Sequence, residues 1–330
     1  MPWPKNFKCI PNQDWVKKPL EKLAMKYDTV EEHGWYDNLD FTVNQLSKLF
    51  DKNDIIIDYS GGTGILTSRL MRAMKLNCPQ IIIVDSSPKF LRLSLEKFCT
   101  DNRIAFRWLS FNRKEKRLST LEECIDNSIW KRGVDGIVST NAIHLYYELG
   151  QTLNSWKRIL RPQGQLHIQS GNIRNPNTRD LWIIDETVEH IHKAAIKIVN
   201  SQNSFKSLRK FIDDDKHMEA HDTLRKKYFL PVRELSYYIN LLENNGFEVC
   251  DLQSRPVDAN VDEWYDFLSV YHDGVLGWVG GSEKIYNKKI PSYFISLRKT
   301  LMRLAMEDVF NGKTHFQAAW TYINAKSQKQ

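Results

Sequence analysis

The sequence predicts an α/β protein built on a doubly wound, mostly parallel β-sheet with helical insertions. Short runs of β-branched residues alternate with amphipathic helical patterns between residues 54 and 171, as in the strand–helix–strand units of a parallel sheet. The runs are almost continuously apolar, which is typical of strands covered on both faces. After Gly171 the alternation stops, and turn-rich, charged and helical segments follow. The 330 residues, 42% of them hydrophobic, are therefore expected to form one large domain with insertions.

Seven strands follow from the apolar runs. They span residues 54–58, 80–85, 104–111, 134–140, 165–170, 247–252 and 314–325. Helical periodicity predicts helices at residues 39–50, 65–74, 148–160, 181–200, 232–244 and 293–310. A further helix begins at Pro88 with Ser87 as its N-cap, because serine accepts free backbone amides and proline fits the first helical position. Gly246 is the C-cap signal that ends the helix at 232–244.

The chain divides into an N-terminal part and a main domain. Residues 1–50 are mixed in composition and aromatic-rich, and they are predicted to form a helical cap. Residues 51–330 carry the sheet. Within them, residues 173–231 and 254–313 are expected to be insertions on the sheet rather than independent domains, because the alternation of strand and helix breaks there.

Composition and charge argue against several classes of protein. Lysine and arginine number 47 against 40 acidic residues, but the basic residues are scattered among the acids, which argues against specific nucleic-acid binding. No apolar run approaches the roughly 18 residues of a membrane span, and residues 1–10 lack the apolar core of a secretory signal. Five cysteines without a C-x-x-C pair fit reduced thiols in a cytoplasmic protein. His190 and His192 would face different sides of a helix, so no metal site is predicted.

The most informative segment is the glycine turn, residues 58–64, with the sequence Asp-Tyr-Ser-Gly-Gly-Thr-Gly. It lies between a predicted strand and a predicted helix. Glycine lets a ligand approach the backbone closely, and the start of the following helix offers free N–H groups and a positive dipole end. Such a turn binds the polar part of a nucleotide-like ligand. The alternative is a plain tight turn between strand and helix.

The spacing of the glycines narrows the choice of ligand. A dinucleotide-binding fingerprint needs G-x-G-x-x-G, but Thr67 stands where the third glycine would follow Gly62 and Gly64. A G-x-x-x-x-G-K-[ST] phosphate loop is missing too. With Asp58 ahead of it, the turn resembles motif I of the class I S-adenosylmethionine-dependent methyltransferases, acid-x-Gly-x-Gly-x-Gly. Ser60 stands in place of the first glycine.

A second acid and four later segments support this resemblance. Asp85 ends the second predicted strand, where a carboxylate can accept hydrogen bonds from both ribose hydroxyls. Such a carboxylate would serve NAD(H) equally, and an Asp that only caps the next helix is the alternative. Residues 134–144, 158–166, 241–249 and 316–322 are similar to the family's fourth-strand motif, its L-(R/K)-P-G-G stretch, its approach to strand six and its seventh strand. The resemblance implies a Rossmann-like sheet of seven strands, mostly parallel, with an antiparallel last strand.

The resemblance also implies S-adenosyl-L-methionine as the cofactor. The residues it assigns to cofactor binding are Tyr27, Asp58, Ser60, Gly61, Gly62, Gly64, Asp85, Ser86, Ser110, Phe111, Asn141 and Ala142. Tyr27 stands where a family tyrosine reaches the cofactor carboxylate, and Ser110 and Phe111 would contact adenine. Plain packing is the alternative for both Tyr27 and Phe111.

Methyl transfer in this family is a direct displacement, for which the protein supplies alignment and a dry pocket. His144, just past the fourth strand, is the candidate general base, and a hydrogen-bonded structural histidine is the alternative. The candidate substrate-pocket residues are aromatic: Trp35, Tyr36, Tyr146, Tyr147, Trp264 and Tyr271. The last two lie where the family's small-molecule branch, which includes the trans-aconitate methyltransferases, carries an acceptor lid. Core packing is the alternative for them.

The predicted function is methyl transfer to a small-molecule acceptor, at oxygen or nitrogen, with a carboxylate among the options. No (D/N/S)-P-P-(Y/F/W) segment follows the fourth strand, which argues against N-methylation of DNA bases. Methylation of an RNA or a protein is an alternative, as is a catalytically degenerate partner subunit. A dehydrogenase is the remaining alternative function.

Overall fold

The structure, a computed structural model, describes residues 34–328, and a seven-stranded sheet forms its centre. The strands are β1 (Ile55–Tyr59), β2 (Gln80–Asp85), β3 (Ile104–Trp108), β4 (Val134–Thr140), β5 (Leu160–Ser170), β6 (Phe247–Asn260) and β7 (His315–Ser327). Their order across the sheet is β6-β7-β5-β4-β1-β2-β3. The first five strands pair in parallel, and β7 runs antiparallel to both β5 and β6. The predicted sheet, with its antiparallel last strand, is confirmed.

Helices connect these strands. They are α1 (Asn38–Leu49), α2 (Ile65–Met74), α3 (Pro88–Phe98), α4 (Leu121–Cys124), α5 (Asn127–Arg132), α6 (Leu149–Ile159), α7 (Ile184–Ser201), α8 (Arg209–Ile212), α9 (Asp215–Tyr228), α10 (Leu235–Asn244), α11 (Val261–Val270), α12 (His272–Leu276), α13 (Glu283–Tyr286) and α14 (Ser292–Val309). Short 3-10 turns occur at Gly34–Asp37, Lys75–Asn77, Ile143–Leu145, Pro176–Thr178 and Asn203–Leu208. Ser87 caps α3 as predicted, since its hydroxyl accepts the Phe90 amide at 3.4 Å.

Alternate residues of the central strands pack on opposite faces of the sheet. Ile56 belongs to one core cluster together with Leu39 of α1 and Leu70 of α2. Its neighbour Ile57 belongs to the other cluster, with Trp156 of α6. All residues of β1 and β2 are buried, so the near-continuous apolar runs in the sequence reflect a sheet covered on both sides.

Two strands are longer than predicted. β5 begins at Leu160, before the predicted strand at 165–170, because the segment 161–164 is an irregularity within the strand. The register with β4 shifts there, and Gln163 has a φ of +66°. β6 continues to Asn260 because it pairs with β7 from its first residue to its last. The helices between β6 and β7 therefore begin at Val261 rather than near residue 254.

Two groups of helices lie at the carboxyl edge of the parallel strands. α7 to α9 follow β5, and α11 to α14 follow β6. The groups pack on each other, since the indole Nε1 of Trp264 in α11 donates to Thr187 Oγ1 in α7 at 2.9 Å. A short parallel pair, Ile173–Arg174 with Arg233–Glu234, brackets the first group. Because β1 and β2 end at the same edge, the inserted helices and the glycine turn share one end of the sheet.

Candidate active site

A cavity of about 570 Å³ opens at the carboxyl ends of β1, β2 and β4. β1 has β2 on one side and β4 on the other, so the direction of the strand order changes here. Open α/β sheets bind ligands at such a switch point, and the volume is within the range of small-molecule sites. The lining residues from the strand ends are Tyr59, Ser60, Gly62, Asp85, Ser86, Ser87, Leu109, Ala142, Leu145, Tyr146 and Tyr147.

The glycine turn has a left-handed backbone at Ser60, Gly62 and Gly64, with φ of +58°, +57° and +80°. Ser60 is the position where the resembling family has its first glycine, and a side chain is strained in this conformation. The Tyr146 hydroxyl donates to Ser60 Oγ at 2.8 Å, and this hydrogen bond fixes the serine side chain. The turn thus keeps the backbone conformation of a glycine position without the glycine.

Asp85 connects the end of β2 to the glycine turn. Its Oδ2 accepts the Gly62 amide at 2.9 Å, and its Oδ1 accepts the Ser87 amide at 2.7 Å. The residue is 7% exposed and lines the cavity. Burial raises the pKa of its carboxyl to about 6, against the lowering effect of the hydrogen bonds from Ser87 and Gly62. The Ser86 amide also hydrogen-bonds this carboxyl, so at least one of its four lone-pair positions remains to accept a ligand hydroxyl.

Asp58 lies beneath the turn and is buried. Its Oδ2 accepts the Thr67 hydroxyl at 2.8 Å, while its Oδ1 has no hydrogen-bond partner in the described part of the chain. A Cβ added at Gly61 would lie 2.8 Å from the Asp58 carboxyl carbon, so the turn packs directly on this group. Burial raises the pKa of Asp58 to about 7; the Thr67 hydrogen bond lowers this pKa, and the nearby Asp85 raises it.

Replacing Asp58 with asparagine is expected to stabilise the protein more at pH 8 than at pH 4. The folded state holds the Asp58 proton up to about pH 7, whereas the unfolded state releases it near the ordinary pKa of 3.8. Stability is therefore lost as the pH rises between these values, and the variant removes that loss. The gain at pH 8 is on the order of 2–4 kcal/mol, from about 1.4 kcal/mol per pKa unit. Urea unfolding at the two pH values measures it.

Asp101 offers a control of opposite sign. Its hydrogen bonds from Arg103 lower the pKa of this carboxyl, so its stabilising contribution is present above the ordinary pKa and is lost as the pH falls. D101N should therefore lose more stability at pH 8 than at pH 4. If D58N were destabilised equally at both pH values, the buried carboxyl would not carry the proton linkage described above.

A short hairpin forms the far wall of the cavity. β3 ends at Trp108 rather than at 111, because Phe111–Asn112 turns back to pair with Arg117–Leu118. The rim of the cavity carries large apolar side chains that are exposed: Phe111 (58%), Leu118 (44%), Leu145 (45%) and Tyr147 (67%). Exposed apolar groups gathered around a polar cleft mark a binding site. Phe111 is thus a rim residue and not a core residue.

The structure places the polar residues of this hairpin differently from the prediction. Ser110 is absent from the cavity lining, and its hydroxyl is hydrogen-bonded to that of Ser119 at 2.8 Å. Ser119 itself lines the cavity, as do Lys116 and Thr120. These residues were not predicted as part of the site, because strands of two residues are too short to show an alternation of apolar and polar residues.

No family model matches the sequence. The fold resembles several solved structures, methyltransferases among them. A S-adenosylmethionine-dependent methyltransferase from Thiobacillus denitrificans, crystallised with S-adenosyl-L-homocysteine, has a TM-score of 0.50 at 10% identity, covering 94% of this chain and all (100%) of the other. The YcgJ protein from Bacillus subtilis has a TM-score of 0.49 at 11% identity, over 89% and 100% of the chains. Haemonchus contortus phosphoethanolamine N-methyltransferase 2 has a TM-score of 0.48 at 11% identity, over 96% and 60%.

The chain has the class I methyltransferase fold. In this methyltransferase fold, the loop after β4 contacts the glycine turn through the side chain of Tyr146. The Tyr146 hydroxyl lies 3.1 Å from Ser139 Oγ as well as near Ser60, and its ring packs edge-to-face on Tyr59 and Trp156. Tyr146 and Tyr147 were predicted as substrate-pocket residues, and the structure places both in the lining of the large cavity beside Ala142.

Asn141 begins the loop after β4 and lies in a network of side-chain amides next to the cavity. It has a φ of +53°, and its Oδ1 accepts the Trp320 indole at 2.8 Å. Its Nδ2 donates to Asn38 Oδ1 at 3.3 Å, and Gln169 Nε2 donates to the same oxygen at 2.7 Å. The network joins α1, β4, β5 and β7, so Asn141 is held rigidly at the switch point.

His144 lies in a buried polar cluster rather than in the cavity lining. Asn172 Oδ1 accepts the Asp185 amide at 2.8 Å, which identifies the other terminal atom of Asn172 as its NH₂ donor. That Nδ2 lies 3.2 Å from His144 Nε2, so Nε2 accepts and Nδ1 carries the proton toward Ser170 Oγ, 3.1 Å away. Burial, aided by the nearby Arg233, lowers the pKa of His144 to about 4. Both ring nitrogens are therefore engaged, and the ring is neutral.

The remaining predicted substrate residues lie elsewhere. Tyr36 and Trp264 are buried in the core (4% and 2% exposed), and Trp264 stacks on Phe267 at 5.1 Å. Tyr271 packs against Phe267 and Tyr228 among the inserted helices. Trp35 belongs to the 3-10 turn Gly34–Asp37, and Tyr27 lies outside the described residues. Tyr36, Trp264 and Tyr271 are absent from the lining of the 570 Å³ cavity.

Residues 34–328 contain no group of three or more histidine, cysteine, aspartate or glutamate side chains placed to hold a metal ion. Within the same range, no helix is long and apolar enough to cross a membrane.

Proposed function

We propose that the protein is an S-adenosylmethionine-dependent methyltransferase that acts on a small-molecule acceptor. The observation that carries this proposal is the 570 Å³ cavity, where the glycine turn, the Asp85 carboxylate and an apolar rim meet at the switch point of the sheet. S-adenosylmethionine supplies, when bound, a methyl group already activated by its sulfonium.

The residues of the cavity fit the chemistry of this cofactor. Phe111 and Leu118 offer apolar surface to an adenine ring, and Asp85 can accept the ribose hydroxyls. The positively charged groups of the cofactor would lie above the glycine turn, and beneath that turn Asp58 is a buried carboxyl whose Oδ1 has no partner among the described residues. Burial of this carboxyl without a cation is costly, so a cationic ligand nearby would favour its ionised form.

In this proposal the chain contributes alignment and exclusion of water. The left-handed turn at Ser60 to Gly64 sets the position of the ligand's polar part, and the amide network around Asn141 fixes the loop beside it. Well-oriented reactants can gain about 7–11 kcal/mol from alignment alone. We propose that the inserted helices at the same edge of the sheet close over the acceptor as a lid.

A small acceptor is favoured over an RNA by the pairing of the basic residues. At least twelve arginines of the described region form ion pairs with acids: Arg69, Arg92, Arg103, Arg107, Arg117, Arg132, Arg158, Arg161, Arg174, Arg225, Arg298 and Arg303. The net charge of +7 is therefore not displayed as a basic stripe by these residues.

A labelled-methyl transfer assay tests the proposal. The full chain is incubated with methyl-labelled S-adenosylmethionine and, separately, with a pool of small metabolites, a pool of RNA and a pool of unfolded protein. Label is expected in the small-metabolite pool. Transfer only to RNA or protein would contradict the small-molecule assignment, and absence of cofactor binding by calorimetry would contradict the methyltransferase assignment itself.

A further inference from the structure

A second cavity, of about 260 Å³, lies among the inserted helices. One wall is apolar and is built by Val188, Phe229, Leu230, Pro231 and Val232. The other wall is charged and is built by Arg174, Asp185, Glu186, Glu189, Arg225 and Lys226. The cavity is smaller than the first and combines an apolar half with an ionic half, as expected of a site for one small amphiphilic molecule.

The charged groups of this wall are paired, with one exception. Arg174 pairs with Glu186 and, at 3.0 Å, with Glu234. Arg225 pairs with Glu189 at 2.7 Å and with Asp222, which also pairs with Lys226. Asp185 is the exception: within residues 34–328 it forms no ion pair with a lysine or arginine.

The immediate neighbours of Asp185 are neutral. The Asn172 side chain hydrogen-bonds its carboxyl, and the neutral His144 ring lies with its Nε2 3.9 Å from Asp185 Oδ2. The side chain is only 12% exposed, and burial raises the pKa of this carboxyl to about 7. A mostly buried carboxyl facing a cavity without a counter-charge is the arrangement that a cationic ligand would complete.

The side chains of His144, Asn172 and Asp185 lie between the two cavities. His144 lies between Ala142 and Leu145, which line the first cavity, and it contacts Asp185, which lines the second. Tyr146, another lining residue of the first cavity, accepts at its carbonyl a hydrogen bond from Arg233, next to Val232 of the second. The His144 side chain therefore lies between residues that line the first cavity and a residue that lines the second.

We propose that the second cavity binds the methyl acceptor and that this acceptor is a small primary or secondary amine with an apolar substituent, whose ammonium group pairs with Asp185. The proposal rests on the proposed methyltransferase function. The apolar wall and the Asp185 carboxyl, which pairs with no lysine or arginine, favour an ammonium. Arg174 and Arg225 already pair with acids, but Arg225 Nη1 is buried without a hydrogen-bond partner among the described residues, so the test below includes carboxylate acceptors.

Methyl transfer to an amine needs one proton acceptor, and Asp185 can serve as that acceptor. The ammonium gives one proton to the Asp185 carboxylate, which leaves a lone pair on nitrogen. The nitrogen then forms a bond to the methyl carbon while the carbon–sulfur bond breaks, and its electron pair stays on sulfur. The products are a methylated ammonium and a thioether. Asn172 is a positioning residue, because its NH₂ group holds both the His144 ring and the Asp185 carboxyl. The 3-10 turn Ile143–Leu145, which carries His144, lies between the two cavities. In this proposal the turn shifts so that the nitrogen reaches the methyl group.

The test compares matched acceptors on the full chain. One pool holds short alkylamines and 2-phenylethylamine; two others hold the alcohols and carboxylates of the same carbon skeletons. Calorimetry with S-adenosylhomocysteine comes first, so that failure of the cofactor site is recognised separately. We expect label from S-adenosylmethionine in the amine pool, resistant to mild base. Label only in the alcohol or carboxylate pool, or none in any pool despite cofactor binding, overturns the amine assignment.

Two variants test the role of Asp185. D185N is expected to lower kcat/KM for the labelled amine by about 30-fold or more, as removal of one member of a buried charge pair does, while the Kd for S-adenosylhomocysteine stays unchanged. D308N is the matched control, because Asp308 also lies in the inserted helices but lines neither cavity and pairs with Lys197. An equal loss in both variants, or no loss in D185N, overturns the role given to Asp185. Circular dichroism checks that both variants fold.

Discussion

Replacing Asp85 with alanine is expected to raise the Kd for S-adenosylmethionine by about 100-fold or more. The carboxylate lines the cavity, and it is the acceptor we assign to the two ribose hydroxyls. A hydrogen bond to a charged group contributes about 1.5–3 kcal/mol, so the loss of two corresponds to at least this factor. The variant also frees the Gly62 and Ser87 amides that the carboxylate holds, which loosens the turn itself. Isothermal titration calorimetry measures the change.

Asp101 again supplies the control. It follows α3 and is absent from the cavity lining, so D101A should leave the Kd unchanged. A loss of affinity in D101A equal to that in D85A would show that the effect comes from general destabilisation. Unchanged affinity in D85A would remove the ribose contact from the proposed site.

Alanine at Gly64 is expected to destabilise the fold by about 3 kcal/mol, whereas alanine at Gly62 costs about 1 kcal/mol and mainly weakens ligand binding. Both glycines have a left-handed backbone, so both variants bear the strain of a side chain there. The two positions differ in the space available to the new Cβ. A Cβ at Gly64 would lie 2.5 Å from Phe98 Cε2, whereas a Cβ at Gly62 meets nothing within 4 Å and projects from a residue of the cavity lining. Urea unfolding and calorimetry separate the two effects.

A second substitution distinguishes the clash from the strain. G64A combined with F98L removes the ring that the new Cβ would meet, and the double variant should recover part of the stability lost in G64A beyond the cost of F98L alone. F98L combined with G62A should show no such coupling. Equal destabilisation by G62A and G64A would contradict the packing of the turn on Phe98.

One helix and two strands near the glycine turn were predicted with their observed bounds, and β1 was predicted one residue early, at 54–58 instead of 55–59. α2 (Ile65–Met74), β2 (Gln80–Asp85) and β4 (Val134–Thr140) begin and end at the predicted residues. These elements have buried, strongly periodic patterns bounded by glycine, proline or polar residues, so local sequence is enough to define them.

Other features depend on contacts between distant residues and carry no local signal. The hairpin around Phe111 has strands of two residues, and the irregularity at 161–164 exists because β4 and β5 pair across it. The cluster of His144, Asn172 and Asp185 assembles residues from three separate segments. Their positions in the sequence do not indicate that they are in contact. Asp185 could therefore be identified as a candidate site residue only from the structure.

A crystal structure of the full chain with S-adenosylhomocysteine tests most directly whether the glycine turn holds this class of ligand. We predict that the ribose hydroxyls lie within hydrogen-bond distance of the Asp85 carboxylate, with the adenine against Phe111 and the amino acid end above the turn at Ser60 to Gly64. A ligand bound elsewhere, or a 570 Å³ cavity that stays empty at saturating ligand, would contradict the account.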